Sequence, residues 1–331
     1  MVAKNKDGQE LKLNFVSGKG AVRGSVECMC SIYESKSNYA NPGMLDYDWL
    51  MHRINAGIMN VYTLVTEDGT TAATLAATKN QTFNEVTDIS SLTVNPGFKG
   101  YRLGDIITAH TISECEKDGY SLLHGPIVMY HTVTSVMYEN HGFAPVGFLF
   151  GDCDATKHHA ELGIAAKKHS VGLYVRNSGK DRSVCIYIPK HIEQCAQEVY
   201  ESLRVAPTFK HDEKDLEDRC ILNYEQDENH RALYTYIWKC GDDLSSKIGR
   251  LEQDYAHALQ TYYIYLSITD PGAVKGFETL RGLGYRFSGF KPLCGSDEFL
   301  IMSKVSNELV DYSELKMSAP LSSLFERIMA L

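Results

Sequence analysis

The sequence predicts a mixed α/β (α+β) fold that occurs in two tandem copies. Strand and helix patterns alternate between Thr87 and Phe148, in the order strand, turn, helix, strand, helix, strand. Two strand patterns at 60–66 and 70–78 precede this stretch, and an Asp-Gly pair joins them as in a tight hairpin. A glycine-aromatic pattern of the first half recurs in the second half. These three observations carry the fold prediction.

Polar and helical segments come before the strands. Residues 1–20 are polar and are predicted to be an irregular N-terminal segment, apart from a strand pattern at 11–15. From 22 to 57 the pattern is helical, but Pro42 interrupts it. Asp46 is suited to cap the helix that follows, because its carboxylate can accept from the first free N–H groups. We therefore expect two helices joined by a loop.

A strand, a glycine-rich turn and a helix follow one another after the hairpin. The strand at 88–94 is rich in β-branched residues and ends at the Asn-Pro-Gly of 95–97. The turn at 98–104 runs straight into a helical pattern whose apolar stripe begins at Leu103. Free N–H groups and the helix dipole at such a helix start can hold phosphate groups. The turn is therefore a candidate phosphate site.

Two motifs in this region resemble those of the GNAT (Gcn5-related) N-acyltransferases. Residues 94–104, VNPGFKGYRLG, resemble the core motif V-x-P-x-x-R-G-x-G-x-G, and residues 137–143, MYENHGF, resemble L-Y-E-x-x-G-F. Lys99 replaces the usual Arg or Gln and keeps the charge. Arg102 replaces the middle glycine, where a missing side chain lets the pyrophosphate approach the backbone. The Arg102 guanidinium could pair with a phosphate instead.

The resemblance implies a mostly antiparallel GNAT-type sheet flanked by helices. It also implies an acyl-CoA donor, most often acetyl-CoA, and an amine acceptor that is a small molecule or a peptide. The coenzyme would be bound by the strand and the turn, and a backbone N–H near the end of the strand could stabilise the oxyanion. The positions that the resemblance assigns to the coenzyme are Leu92, Thr93, Val94, Lys99, Gly100, Tyr101, Arg102, Leu103, Gly104 and His131.

Acyl transfer to an amine also needs a proton donor and a base. By its place in the motif, Tyr138 would protonate the leaving thiolate, although packing at a helix end explains this tyrosine equally well. An alkylammonium acceptor with a pKa of about 10 has to lose a proton before it attacks. Glu85 and Asp88, which are predicted to lie on the strand before the turn, and His124, on the neighbouring strand, are candidate bases, and the sequence does not choose among them.

The prediction of residues that contact the acceptor depends on the family resemblance alone. In the family, two helices joined by a loop border the acceptor pocket. Tyr33 and Tyr39 are therefore candidate substrate contacts, with aromatic packing as the alternative.

The second half contains an echo of the first. Residues 142–148, GFAPVGF, are matched by 284–290, GYRFSGF, at the same internal spacing. Where the first copy has its basic turn, the second has Asp242 and Asp243, which would repel a phosphate. The predicted domains are the irregular segment 1–20, an acyl-CoA-binding catalytic domain 21–176, a linker 177–181 and a degenerate GNAT-like domain 182–331.

Composition bears on several classes of function. The formal net charge of −9, from 33 basic and 42 acidic residues, argues against general nucleic-acid binding. No run approaches roughly eighteen apolar residues and no signal peptide is visible, so we expect no membrane partner. Nine cysteines without CxxC spacing indicate reduced thiols and a cytoplasmic protein. We expect no metal, and we interpret His158 and His159 as part of a solvated loop. A homodimer is left open.

The sequence allows three functional interpretations to be compared. The sequence favours an N-acetyltransferase with direct attack of the amine, because no Ser or Cys stands in a recognisable nucleophile context. A non-catalytic acyl-CoA-binding or sensing protein is the alternative, to which the replacement at Arg102 gives weight. A dinucleotide-binding turn is disfavoured because no G-x-G-x-x-G occurs in the required context.

Overall fold

A computed structural model describes residues 1–33, 41–154, 168–179, 181–212, 216–293 and 297–331. These residues form two compact units that divide between Pro126 and Ile127. We call them the N-terminal unit and the C-terminal unit. The division falls inside a strand, whereas the sequence places a linker at 177–181. The predicted domain boundaries therefore stay a prediction.

The N-terminal unit is a mixed sheet with helices packed on it. Its strands are β1 (Val2–Lys4), β2 (Glu10–Ser17), β3 (Met59–Thr66), β4 (Thr71–Lys79), β5 (Val86–Val94) and the first part of β6 (Leu122–Val128). Its helices are α1 (Val22–Cys30), α2 (Tyr47–Asn55) and α3 (Leu103–Lys117). Neighbouring strands pair in the order β1-β2-β3-β4-β5-β6, antiparallel except for the parallel β5–β6 pair. The predicted mixed, mostly antiparallel sheet is confirmed.

Local signals in the sequence set the first two helices. Asp46 accepts from the N–H of Trp49 at 3.0 Å and so caps α2 as predicted. The chain before α2 passes close to Trp49 at Gly43, where a Cβ would lie 2.5 Å from the indole ring. Helix α1 packs on β3 and β4, and α2 packs on β3 and on α1, around a buried apolar cluster that includes Met29 and Leu50.

The prediction that residues 1–20 are irregular is wrong, because they form β1 and β2. The only fully buried side chain of β2 is Leu13, at 1% exposure, while the others are exposed or half-buried. A strand near the edge of a sheet with one buried position has little of the alternation that reveals strands in a sequence. The pattern at 11–15 is the part of β2 that the sequence indicated as a strand.

The strands of the C-terminal unit also pair in both parallel and antiparallel fashion. Its strands are β7 (Ala144–Asp154), β8 (Lys168–Asn177), β9 (Arg182–Tyr187), β10 (Val205–Lys210), β11 (Ile221–Asp227), β12 (Ala232–Lys239), β13 (Thr261–Ser267), β14 (Arg286–Lys291) and β15 (Phe299–Val305). Its helices are α4 (Val133–Asn140), α5 (Glu193–Ser202), α6 (Leu244–Tyr255), α7 (Ala273–Gly282) and α8 (Ala319–Ala330). The strands pair in the order β8-β7-β14-β15-β13-β12-β11, and β9 and β10 form a separate parallel pair.

The order of elements repeats along the chain as the sequence echo predicts. The series β5-α3-β6-α4-β7-β8 has the counterpart β12-α6-β13-α7-β14-β15. In each series the first two strands are parallel and the last two are antiparallel. The second glycine of each echo lies where β7 meets β14, and Gly147 pairs with Gly289. A Cβ on Gly289 would lie 2.2 Å from the Cα of Gly147, so this approach requires glycine.

In the part of the chain that the structure describes, no helix is both long enough and apolar enough to span a bilayer.

Candidate functional site

A bulge interrupts β5 shortly before its end. The β4–β5 register shifts between Thr74 and Ala76, which pair with Thr93 and Ser90. Within this shift Ser91 has a φ of 60°, in the left-handed region that residues other than glycine rarely adopt. Such bulges bend a strand and redirect the groups beyond them, and they are frequent beside functional sites.

Beyond its first positions, β5 separates from its parallel neighbour. The β5–β6 ladder contains three pairs and ends where Asp88 lies beside His124. Strand β5 itself continues to Val94. The backbone from Leu92 to Val94, which is predicted to contact the coenzyme, therefore lies outside the β5–β6 ladder. An extended ligand with amide groups could pair with a strand edge of this kind.

The turn after β5 leads into α3 as the sequence predicts. Gly100 has a φ of 92°, and Arg102 has a φ of 55° as the N-terminal cap of α3. Among the described residues the N–H groups of Leu103 and Gly104 have no hydrogen-bond acceptor, as is usual for the first turn of a helix. These donors and the helix dipole make this end of α3 a place for an anion.

The basic side chains of the turn are exposed. Lys99 lies on the surface. The Arg102 guanidinium contacts the Asp105 carboxylate at 2.9 Å, and its side chain is 78% exposed. An exposed pair of this kind contributes little to stability and can be exchanged for another anion. In this structure Arg102 is thus engaged by its own helix.

Two candidate bases lie together where the β5–β6 ladder ends. Nδ1 of His124 is 3.9 Å from Oδ1 of Asp88. The His124 side chain is buried, whereas that of Asp88 is 42% exposed. A carboxylate next to an imidazole can share and pass on a proton. This pair is thus suited to accept a proton from a group bound where β5 and β6 separate.

Glu85 lies elsewhere, and its predicted position on the strand is wrong. It belongs to the exposed turn before β5, where its carboxylate accepts from the Ser121 hydroxyl at 2.9 Å. At roughly 3.3 Å per residue, the length of β5 puts it about 30 Å from the turn that precedes α3. Its role as a base stays a prediction, with the least geometric support of the three.

Two further candidates lie in the C-terminal unit. Tyr138 is buried at 1% exposure in α4, and its ring stacks on Phe143 at 4.6 Å. Burial raises the pKa of Tyr138, so its hydroxyl is a weaker acid than that of an exposed tyrosine. His131 lies in the loop before α4, with its ring edge-on to Tyr130 at 4.9 Å. The proposed roles of both residues stay predictions.

Of the two predicted acceptor contacts, the structure describes one. Tyr33 follows α1, is half-buried and packs against the apolar cluster under that helix. Burial raises its pKa. Tyr39 lies outside the described residues, as do His158 and His159.

The second copy differs from the first at the corresponding places. The parallel ladder of β12 and β13 contains six pairs, against three in the first copy. Before α6, the Asp243 carboxylate accepts from the N–H of Cys220 at 2.6 Å and pairs with Lys247 at 3.0 Å. Asp270 likewise accepts from the N–H of Cys240 at 2.7 Å. Carboxylates therefore occupy backbone donors in the second copy.

Sequence reasoning missed a buried polar cluster in the C-terminal unit. Lys168, at 1% exposure, donates to the carbonyl of Gly151 at 3.0 Å. Close by, Asp152 Oδ2 lies 3.5 Å from His230 Nδ1, and Tyr234 donates to the same carboxylate. These positions are far apart in the sequence and share no motif. Asp152, Cys153 and His230 could converge on a metal ion, but the neighbouring ammonium disfavours a cation there.

Comparison with known proteins finds similarity at the level of structure. No protein-family profile matches the chain, and no curated protein sequence matches it. About half of the chain, 51%, is similar to all of a GNAT-family acetyltransferase from Staphylococcus aureus, with 13% identity and a TM-score of 0.38. A ribosomal-protein-alanine N-acetyltransferase from Brucella melitensis matches 50% of this chain over 99% of its own, with 14% identity and a TM-score of 0.40.

A third similar structure was solved with a bound ligand. It is an acetyltransferase from Salmonella typhimurium with its cofactor acetyl-CoA, which matches 52% of this chain over 96% of its own, with 14% identity and a TM-score of 0.40.

Proposed function

We propose that this protein is an N-acyltransferase that transfers an acetyl group from acetyl-CoA to an amine of a small molecule or peptide. One observation carries the proposal: β5 leaves its ladder with β6 after Asp88 and continues past a bulge to the start of α3. A strand edge followed by a helix start suits a ligand with an amide-containing arm and a diphosphate.

The residues of the N-terminal unit would bind the coenzyme in two places. N–H groups of Leu103 and Gly104 would donate to the diphosphate, with Lys99 adding charge from the surface. Backbone groups from Leu92 to Val94 would pair with the amides of the pantetheine arm. An N–H near Val94 would also donate to the oxyanion that forms during transfer.

The transfer itself has a simple proton balance. The ammonium form of the acceptor loses a proton to the Asp88–His124 pair, directly or through water. The free amine attacks the thioester carbonyl, and the C–S bond breaks as the amide forms. The thiolate takes a proton from a donor, the role that the motif resemblance assigns to Tyr138, and the proton that the nitrogen releases as the amide forms restores that donor. Burial raises the pKa of Tyr138 above that of an exposed tyrosine.

A non-catalytic acyl-CoA sensor is the second candidate. Arg102 stands where the family motif has glycine, and its guanidinium is engaged by Asp105. A sensor could keep coenzyme binding without turnover. For either function we propose a cytoplasmic location, since the described cysteines are free thiols and most of them are buried.

Turnover with a panel of acceptors separates these functions. Acetyl-CoA is mixed with polyamines, amino acids, aminoglycosides and peptides, and thiol release is measured beside calorimetric coenzyme binding. The transferase predicts binding and release with at least one acceptor class. Binding without release across the panel identifies the sensor, and absence of binding overturns both. Lys99→Ala should weaken binding, whereas Lys19→Ala, a lysine outside the turn, serves as the control.

A further inference from the structure

The C-terminal unit contains a cavity that the proposed transfer does not use. Its volume is about 520 Å³, within the range of small-molecule sites. The end of α7, the start of β14, the end of β15 and the end of α8 surround it. None of the residues proposed above to bind the coenzyme lines it.

Basic side chains line the cavity. They are the cations Arg281, Arg286 and Lys304 and the imidazole of His191, and among its described lining residues there is no Asp or Glu side chain. Lys304 is neutralised by Glu252 at 2.7 Å, and Arg281 lies 3.5 Å from Glu278. Arg286 has no carboxylate partner among the described residues. It is therefore the cation most available to an anionic ligand.

Aromatic rings form the apolar part of the cavity. Phe277 and Phe287 are buried and contact each other at 6.4 Å between centroids. Phe150 and Tyr312 meet edge-on at 5.3 Å. Tyr312 is also close to Arg286, whose charge opposes the rise in the pKa of Tyr312 that burial causes. An unpaired guanidinium thus lies next to aromatic surface.

We propose that this cavity binds a small oxyanion with an aromatic or aliphatic body. The carboxylate or phosphate head would pair with Arg286, for which a guanidinium fork is well suited. The body would pack against the rings of Phe277, Phe287 and Tyr312. The inference is independent of acyl transfer, because the proposed transfer assigns no role to the residues that line this cavity.

Calorimetry on the full chain tests the proposal with three probes: indole-3-acetate, octanoate and phenyl phosphate. Indole-3-acetamide is the neutral match of the first. We expect at least one anion to bind with a stoichiometry of one, and the amide to bind at least about tenfold more weakly than indole-3-acetate if the latter binds. Which head group binds best distinguishes carboxylate from phosphate ligands.

Variants make the test specific. Arg286→Ala should lower the affinity for the probe that binds the wild type at least about tenfold, and Arg286→Lys should restore part of that affinity. Arg250→Ala is the matched control, because Arg250 is an exposed arginine of α6 that lies outside the cavity. Acetyl-CoA binding should be equal in all of these variants. Failure of all three probes to bind the wild type, or wild-type affinity in Arg286→Ala, would overturn the proposal.

Discussion

Arg102 combines a strained backbone with an exposed charge at the start of α3. Its φ of 55° costs roughly 1–2 kcal/mol for a residue with a Cβ, which glycine would avoid. The ion pair with Asp105 stabilises the turn by only a fraction of this cost, because the pair is exposed. A strained residue retained beside a helix start is typical of a functional turn.

Replacing this arginine by glycine should therefore leave the protein at least as stable and should not weaken coenzyme binding. In Arg102→Gly the relief of strain offsets the added flexibility of the unfolded chain. Urea unfolding and calorimetry with acetyl-CoA measure the two effects. Arg204→Gly is the control, since Arg204 has a φ of 57° in the C-terminal unit. A loss of more than about tenfold in coenzyme affinity would show that the guanidinium itself binds the phosphate.

The Asp88–His124 pair makes a second prediction at this scale. Asp88→Asn removes the charge that would assist proton removal, so the turnover rate should fall about tenfold to a hundredfold at pH 7. Acetyl-CoA affinity should stay unchanged, because Asp88 precedes the strand segment that binds the coenzyme. Steady-state kinetics and calorimetry measure both. Glu85→Gln is the control, and a comparable loss in that variant would refute the assignment of the base to the pair.

The strands and helices near the site were predictable where their signals are local. The predicted strands 60–66, 70–78 and 88–94 correspond to β3, β4 and β5, and Gly69 takes the positive φ of the hairpin turn. Neither the bulge at Ser91 nor the end of the β5–β6 ladder could be predicted. Both depend on the register between neighbouring strands, which a single sequence does not show.

The close approach of β7 and β14 at Gly147 and Gly289, the second glycines of the echo, can be tested directly. Gly289→Ala would place a Cβ against the backbone of β7 at a φ of 133°, so unfolding free energy should fall by at least about 2 kcal/mol. Denaturant unfolding measures the change. The same substitution at Gly249 in α6 meets open space and should stabilise the helix by about 1 kcal/mol. Equal effects at the two positions would contradict the close crossing.

Across the whole molecule the two copies differ in how far their parallel strands stay paired. The first ladder ends after three pairs and the second continues for six. The echo in the sequence predicts two copies, and the acidic turn of the second copy predicts that this copy does not bind phosphate. The buried cluster around Lys168 was beyond sequence reasoning, because its partners meet only after folding.

Buried tyrosines should make the folded state sensitive to alkali. Burial raises the pKa values of Tyr138, Tyr234 and Tyr263, and the Asp152 carboxylate adds to the effect on the last two. The unfolded chain loses these protons near pH 10 while the native protein keeps them. Stability is thus fully present below pH 10 and falls above it, by about 1.4 kcal/mol per pH unit for each tyrosine.

Urea unfolding between pH 8 and 11 measures this slope. Tyr263→Phe should reduce the fall in unfolding free energy with pH by the contribution of one tyrosine. Tyr47→Phe, at an exposed position on α2, is the control. A stability that stays constant up to pH 11 would contradict the prediction.

Hydrogen exchange with and without acetyl-CoA reports on the backbone N–H groups that are proposed to bind the coenzyme. We expect slower exchange in the segments that contain Leu92 to Val94 and Leu103 to Gly104, with little change around α6 in the second copy. Binding of acetyl-CoA that leaves both of these segments unprotected would contradict this expectation.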